Sequence, residues 1–271
     1  MKVSLIISTY NRPDALALCL DSILRQTRMP DEVIVGDDGS GSETKAVIDR
    51  FAARCPVPVV HLWHEDKGFR LAAMRNKCIA RSIGDYIVQI DSDVVLSRHF
   101  IADHLAAALP GHYAKGSRIR LNNSATEKAC KRDKISRCFS PLSRSLQKDR
   151  LKAIRLPECI SVPLSHHYHT TGTGLGANMA FWRKDLVAIN GYDETFCSWG
   201  GEDNDIELRL QAHGVKTFKL FRCGLVRHLW HLETPNAHLA ESYKYMNQKL
   251  SRGELYATEG LDKHITWDKQ R

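Results

Sequence analysis

An α/β fold with a mainly parallel sheet and helices on both faces is predicted by three features of this 271-residue chain. Short apolar, β-branched runs alternate with segments of helical period along its first third. Strands joined through helices of that length need right-handed crossovers, which set neighbouring strands parallel and cover both faces of the sheet. Polar, conformationally special residues fall where such strands end: STYN after the first, DDGS after the second, DSD after the fourth. Ligands of open parallel sheets bind at the carboxyl ends of the strands.

The elements follow in order. Val3–Ile7 is a run expected of a strand buried on both faces. Pro13 then opens a helix whose apolar stripe is Leu16, Cys19, Leu20, Ile23 and Leu24. Val33–Val35 predicts a second strand, Glu43–Ala53 a helix, Val57–His61 a third strand, Leu71–Ser82 a helix and Tyr86–Ile90 a fourth strand. Residues 120–165 carry weak periodicity and many charges, and predict a basic, partly helical insertion, 111–170, after a nucleotide-binding half, 1–110. Regular structure resumes with a strand at Ala177–Trp182, a helix at Arg183–Ile189 and a turn at NGYDE. A helix over Glu202–His213 faces Ile206 and Leu210 inward and is capped by Gly214. Strands at Val215–Phe218 and Leu225–Leu229 complete an acceptor-side half, 171–234, and a helix at Pro235–Leu250 opens a C-terminal tail, 235–271.

Hydrophobic residues at 43% and charged residues at 26% are ordinary for a soluble globular protein. No apolar run approaches the roughly 20 residues that span a bilayer. MKVSLIISTYNRP lacks the form of a secretory signal, so a cytoplasmic protein is expected. Eight cysteines without a CxxC pair read as free thiols, and SHHYH beside Cys159 lacks the paired spacing of a zinc site. The net charge of +8 implies an anionic partner. Because the excess is concentrated between Lys115 and Arg155, it points to an anionic acceptor or the inner membrane face, with a solvated loop as the plain alternative. Nucleotide phosphates, lipid phosphates and nucleic acid would each satisfy the charge alone; nucleic acid is not among the partners expected once the motifs are weighed.

Four constellations carry candidate chemistry. Asp91 and Asp93 follow a buried strand; one suits a ribose hydroxyl or water, the other Mg²⁺ or Mn²⁺, against the alternative of a solvated acidic turn. Asp38 can accept a hydrogen bond from a nucleobase, with Tyr10 to stack on the base and Asn11 to bond it; an ordinary β-turn is the alternative. His228 offers a nitrogen ligand that favours manganese, and His231 is a weaker second. In WGGEDNDIELRL, the plain reading is that the acids dress a helix N-terminus. That reading, the one composition favours, leaves Trp-Gly-Gly unexplained; the indole of Trp199 beside carboxylates suits a sugar, and one carboxylate could take a hydroxyl proton.

STYNR, VGDDGS, GFRLAAMRNKCIA, GDYIVQIDSDV and WGGEDNDIELRL, in this order, resemble the family 2 glycosyltransferases of the GT-A fold. GANMAFWRKDLVAINGYDE and the last block also look like the C-terminal portion of β-1,4-galactosyltransferases. The resemblance spans roughly residues 3–110 and 172–232. It implies inverting, metal-dependent transfer of a hexose or N-acetylhexosamine from a UDP-sugar to a glycan or lipid-linked glycan. Ser8, Tyr10, Asn11, Asp38, Arg70, Asn76 and Asp91 would then serve the donor, and Asp93 and His228 would hold Mn²⁺ or Mg²⁺. Asp203 would be the catalytic base, with Trp199, Gly201 and Glu202 lining the acceptor. Leu225 stands where the galactosyltransferases have a sulfur ligand. A sugar-phosphate nucleotidyltransferase would carry a glycine-rich phosphate loop that STYNRP lacks, and a non-catalytic carbohydrate- or nucleotide-binding protein is the remaining rival.

Overall fold

The computed structural model describes residues 1–132, 150–167, 176–198, 200–232 and 239–265. Ten strands and nine α-helices occupy these residues: β1 Val3–Thr9, α1 Pro13–Ile23, β2 Glu32–Asp37, α2 Ser42–Ala52, β3 Val59–Trp63, α3 Leu71–Arg81, β4 Tyr86–Asp91 and β5 Val94–Leu96 come first. They are followed by α4 Phe100–Ala107, β6 His112–Lys115, β7 Arg118–Arg120, α5 Asn123–Arg132, α6 Glu158–His167, β8 Asn178–Trp182 and α7 Arg183–Ala188. The chain then forms α8 Glu202–Ala212, β9 Lys216–Lys219, β10 Val226–His228 and α9 Leu239–Ser251.

Seven strands form one sheet in the order β3-β2-β1-β4-β8-β6-β9, and β5, β10 and β7 form a second, small sheet. The first four strands of the large sheet are parallel, as the alternation predicts. β8 is the exception, antiparallel to both β4 and β6. Both faces are covered. Along β1, Val3, Leu5 and Ile7 point into one core with the apolar stripes of α1 and α2, whereas Ile6 points into a second with α3, α7 and α8. That alternation is the pleat of a strand buried on two sides.

Two expectations are corrected here. β3 starts at Val59 rather than Val57, because Pro56 and Pro58 flank Val57 and have no N–H to give a ladder. The segment from residue 111 does not begin as an insertion: β6 lies inside the large sheet and β7 in the small one. No described helix is long and apolar enough to cross a membrane. The seven described cysteines are free thiols.

Candidate active site

The parallel register aligns the polar strand ends. Ser8 lies between Gly36 on β2 and Asp91 on β4, and Thr9 pairs with Asp37. Asp38 N–H and Ser92 N–H donate to the Thr9 and Ser8 carbonyls, tying the three ends together past the ladder. Ser8, Thr9, Tyr10, Asp38, Phe69 and Asp91 line a cavity of about 420 Å³ at this edge, a size that suits a small-molecule ligand. Asp38 is held by two donors: the Arg70 N–H at 3.0 Å and the His64 imidazole. Lys77 can only donate, so His64 Nδ1 accepts from it and Nε2–H faces Asp38. Tyr10 is half exposed over the cavity and bonds Asp66 at 2.9 Å. Asn11, at φ 46°, accepts from Gly41 N–H and shapes the loop. The Arg70 guanidinium bonds the Glu65 carbonyl.

After Asp91 the chain turns, and the two DSD carboxylates part. β10 runs antiparallel to β5 with His228 opposite Val94, which sets the imidazole beside Asp93. Asp93 Oδ2 lies 3.5 Å from His228 Nε2 and 3.2 Å from His231 Nε2. One ligand atom from each of the three residues lies within 4.8 Å of the others, a group able to hold a metal ion. Asp93 Oδ1 is buried and has no hydrogen-bond partner. A buried orphan oxygen of this kind is the place a cation fills. Burial pushes His228 down to about 4, leaving its ring neutral with a lone pair to give. The bond to Asp93 raises His231, which must lose a proton to ligate. One carboxylate and two imidazoles fit Mn²⁺ better than Mg²⁺. Leu225 is buried in an apolar cluster with Ile119 and Leu229; His231 is the third group in the cluster.

The acids of α8 follow two glycines with positive φ, Gly200 at 94° and Gly201 at 116°, angles at which a side chain is strained. Each acid then meets a cation. Asp203 Oδ1 accepts from Arg75 at 2.7 Å, and its Oδ2 accepts from Gly176 N–H at 3.0 Å. The same guanidinium reaches Asp91 at 3.3 Å and lies 3.9 Å from Glu202. Asp205 pairs with Arg209, and Glu207 with Lys115. Arg75 is 1% exposed and rests against the Tyr192 ring. Burial, then the Asp203 charge, pushes Glu202 up to about 7, and burial pushes Asp91 up to about 6. Asp203, with 19% of its side chain exposed against 5% for Glu202, is the more accessible of the two.

Two expected site residues are placed elsewhere. Asn76 is fully buried, and its amide is engaged by the Tyr192 backbone and by Glu194. It braces the turn after α7 instead of facing the cavity. Gly201 packs against Ser242 of α9 and Phe196, so it shapes the approach to α8. Trp199 lies outside the described residues. The basic segment also divides: Lys115 is bound to Glu207 and Arg155 to buried Asp103, while residues 133–149 lie outside the described part. Arg75 was missed, although its sequence carries a signal: a cation on the apolar face of a helix.

The glycosyl transferase family 2 model matches residues 4–161, more than half of the chain. A model described as the N-terminal domain of galactosyltransferase matches 159–233. Validoxylamine A glucosyltransferase of Streptomyces hygroscopicus subsp. limoneus is 27% identical over 259 residues, covering 89% of this chain and 53% of that protein. The chain thus spans about half the length of that relative. Among solved structures, the mannosyltransferase PcManGT from Pyrobaculum calidifontis, in complex with GDP-Man and Mn²⁺, superposes with a TM-score of 0.60 at 18% identity, covering 93% of this chain and 64% of that one. GalNAc-T7 with UDP, GalNAc and Mn²⁺ gives a TM-score of 0.65 at 15% identity, over 92% of this chain and 48% of that one. The strand order, the polar strand ends and these matches agree: the chain belongs to glycosyl transferase family 2 and has the GT-A fold.

Proposed function

We propose that this glycosyltransferase moves a hexose or N-acetylhexosamine from a UDP-sugar to a hydroxyl of a glycan or lipid-linked glycan, with inversion at the anomeric carbon. One observation carries the reading. A single buried guanidinium, Arg75, bonds Asp91 at the cavity edge and Asp203 at the start of α8. The nucleotide cavity and the candidate base therefore share a wall.

Ser8, Tyr10 and Asp38 would take the uridine, with Asp91 at the ribose, and Asp93, His228 and His231 would hold Mn²⁺ or Mg²⁺. A divalent cation bound there supplies Lewis-acid neutralisation of charge on the leaving diphosphate. Asp203 accepts the proton of the acceptor hydroxyl as that oxygen attacks the anomeric carbon from the face opposite the diphosphate. The new C–O bond forms as the bond to the diphosphate breaks, and the electron pair leaves on the diphosphate. One displacement turns an α-linked donor into a β-linked product without a covalent enzyme intermediate. Arg75 and Gly176 N–H hold the Asp203 carboxylate in one orientation while this happens. Glu202 would border the acceptor sugar, with Trp199 as the indole expected beside it.

A role in bacterial surface polysaccharide or lipopolysaccharide synthesis suits such a catalyst, acting in the cytoplasm with its basic segment against anionic lipid. Each Lys or Arg near such a surface adds about 1 kcal/mol. Co-sedimentation with vesicles that does not depend on anionic lipid removes the membrane part.

The deciding experiment is UDP release in the presence of Mn²⁺ across UDP-Gal, UDP-Glc, UDP-GlcNAc and UDP-GalNAc, with an oligosaccharide acceptor panel. Turnover with at least one donor, abolished in Asp203→Asn while nucleotide binding survives, is the expected result. Unchanged turnover in Asp203→Asn removes that residue from the chemistry.

A further inference from the structure

β7 runs parallel to β10, with Arg118 opposite Val226 and Arg120 opposite His228. Residues opposite each other, and residues two apart on one strand, share a face of a sheet. Arg118 and Arg120 therefore stand on the same face as His228, and Ile119 and Arg227 on the other. Val94, opposite His228 on β5, brings the DSD turn to that face as well. A cationic strand thus borders the Asp93 cluster.

Arg118 is half-buried, and its charged surroundings are mostly acidic. Asp91, Asp93 and Asp203 all act on its guanidinium, with Arg120 opposing them. Among the described residues, however, no carboxylate lies within ion-pair distance of it and its side chain makes no hydrogen bond. Other cations of the basic stretch behave differently, since Lys115 is closed onto Glu207 and Arg155 onto Asp103. A partly desolvated cation without a direct partner is costly unless an anion joins it. A guanidinium fork presents five donors in a plane, the geometry that grips phosphate oxygens.

We propose that Arg118 binds the diphosphate of the nucleotide donor, gripping it alongside the Asp93 cluster. The inference rests on the donor reading above and adds to it the residue that meets the leaving group. Charge that builds on the diphosphate as the sugar departs then falls on a cation already in place. A phosphate on a lipid-linked acceptor offers the same chemistry and is the competing source.

Calorimetric titration of the full chain with UDP, UMP and uridine, with and without Mn²⁺, tests this in wild type, Arg118→Gln and Arg118→Lys. Arg118→Gln is expected to weaken UDP by about ten- to a hundredfold while leaving uridine unchanged, with Lys recovering part of the loss. Retained uridine binding also shows that the variant is folded. Equal UDP affinity in wild type and Arg118→Gln overturns the proposal; if acceptor KM rises in that variant, the arginine meets an acceptor phosphate instead. An equal loss of uridine and UDP overturns it too, because the residue is then structural. Failure of the wild type to bind any of the three compounds defeats the donor reading itself.

Discussion

Gly176 offers the most direct check on the position of Asp203. Its N–H donates to Asp203 Oδ2 at 3.0 Å, so the Gly176 backbone lies directly against that carboxylate with no room for a side chain. A methyl group at residue 176 would sit 2.6 Å from the Asp203 carboxyl carbon and closer still to both oxygens. Ordinary contact begins at 3.4 Å, so the carboxylate, whose oxygens are the nearest atoms, must retreat by about 1 Å or slightly more, and a displacement near 1 Å costs about a hundredfold in rate. The φ of Gly176 is not positive, so alanine adds no backbone strain there. The perturbation falls on Asp203 and on its bond to Arg75. Gly176→Ala is therefore expected to lower kcat about a hundredfold with UDP affinity unchanged, as read by steady-state sugar transfer beside calorimetric UDP binding. A folded Gly176→Ala enzyme with wild-type kcat would refute the assignment of Asp203 as the base.

Glu202 provides a pH test. Burial and the neighbouring Asp203 charge lift it from 4.5 to about 7, so across that interval the folded protein keeps a proton that the unfolded chain has lost. Stability falls as pH rises through the interval. Glu202→Gln is expected to gain roughly 2 kcal/mol over wild type near pH 8 and almost nothing near pH 5, by urea unfolding; equal offsets at both values would contradict the burial argument. His228→Ala should cut Mn²⁺ affinity by at least about a hundredfold, more than an outer-sphere partner costs, as measured by electron paramagnetic resonance titration. Unaltered Mn²⁺ affinity excludes the Asp93 cluster as the metal site. Lys249→Met leaves the Asp193 carboxylate buried with Thr195 and Tyr245 but without its cation, a loss of about 3 kcal/mol. α9 lies beyond both matched family segments, so an unshifted Tm would make it an appendage instead of a structural part of the enzyme.

The first four strands and three helices were legible because each carries its own period over five or more residues. β5 and β7 were hidden: each has three residues, too few for any alternation to register, whereas the equally short β10 was marked by the strand-like run Leu225–Leu229 around it. β8 was found as a strand, but its direction was hidden, since NMAFW is equally apolar whichever way its neighbours run. That antiparallel strand is what routes the chain from β6 back across the sheet and returns α8 to the β4 edge. Within the site, Asp93 and His228 could be paired on paper by chemistry alone. Their meeting depends on the β5–β10 register, a long-range fact with no local trace.

Arg75 is the instructive omission, because the information was present in two separate places. LAAMRNKCIAR buries Ala72, Met74, Cys78 and Ile79, and Arg75 stands on that stripe, three residues after Ala72 and four before Ile79. A guanidinium there has to be answered by carboxylates, since an unpaired buried charge is not tolerated. The stretch most crowded with acids, EDNDIE, lies 128 residues further on and supplies Asp203. Seen separately, one looks like an irregularity in a core helix and the other like dressing on a helix terminus. Matching buried cations to clustered anions, and not periodicity, is the physical relation that joins them. It also explains why a basic chain gathers four acids on α8: Arg75, Arg209 and Lys115 neutralise them from within, leaving the partly exposed Asp203 edge as the one that can meet a hydroxyl.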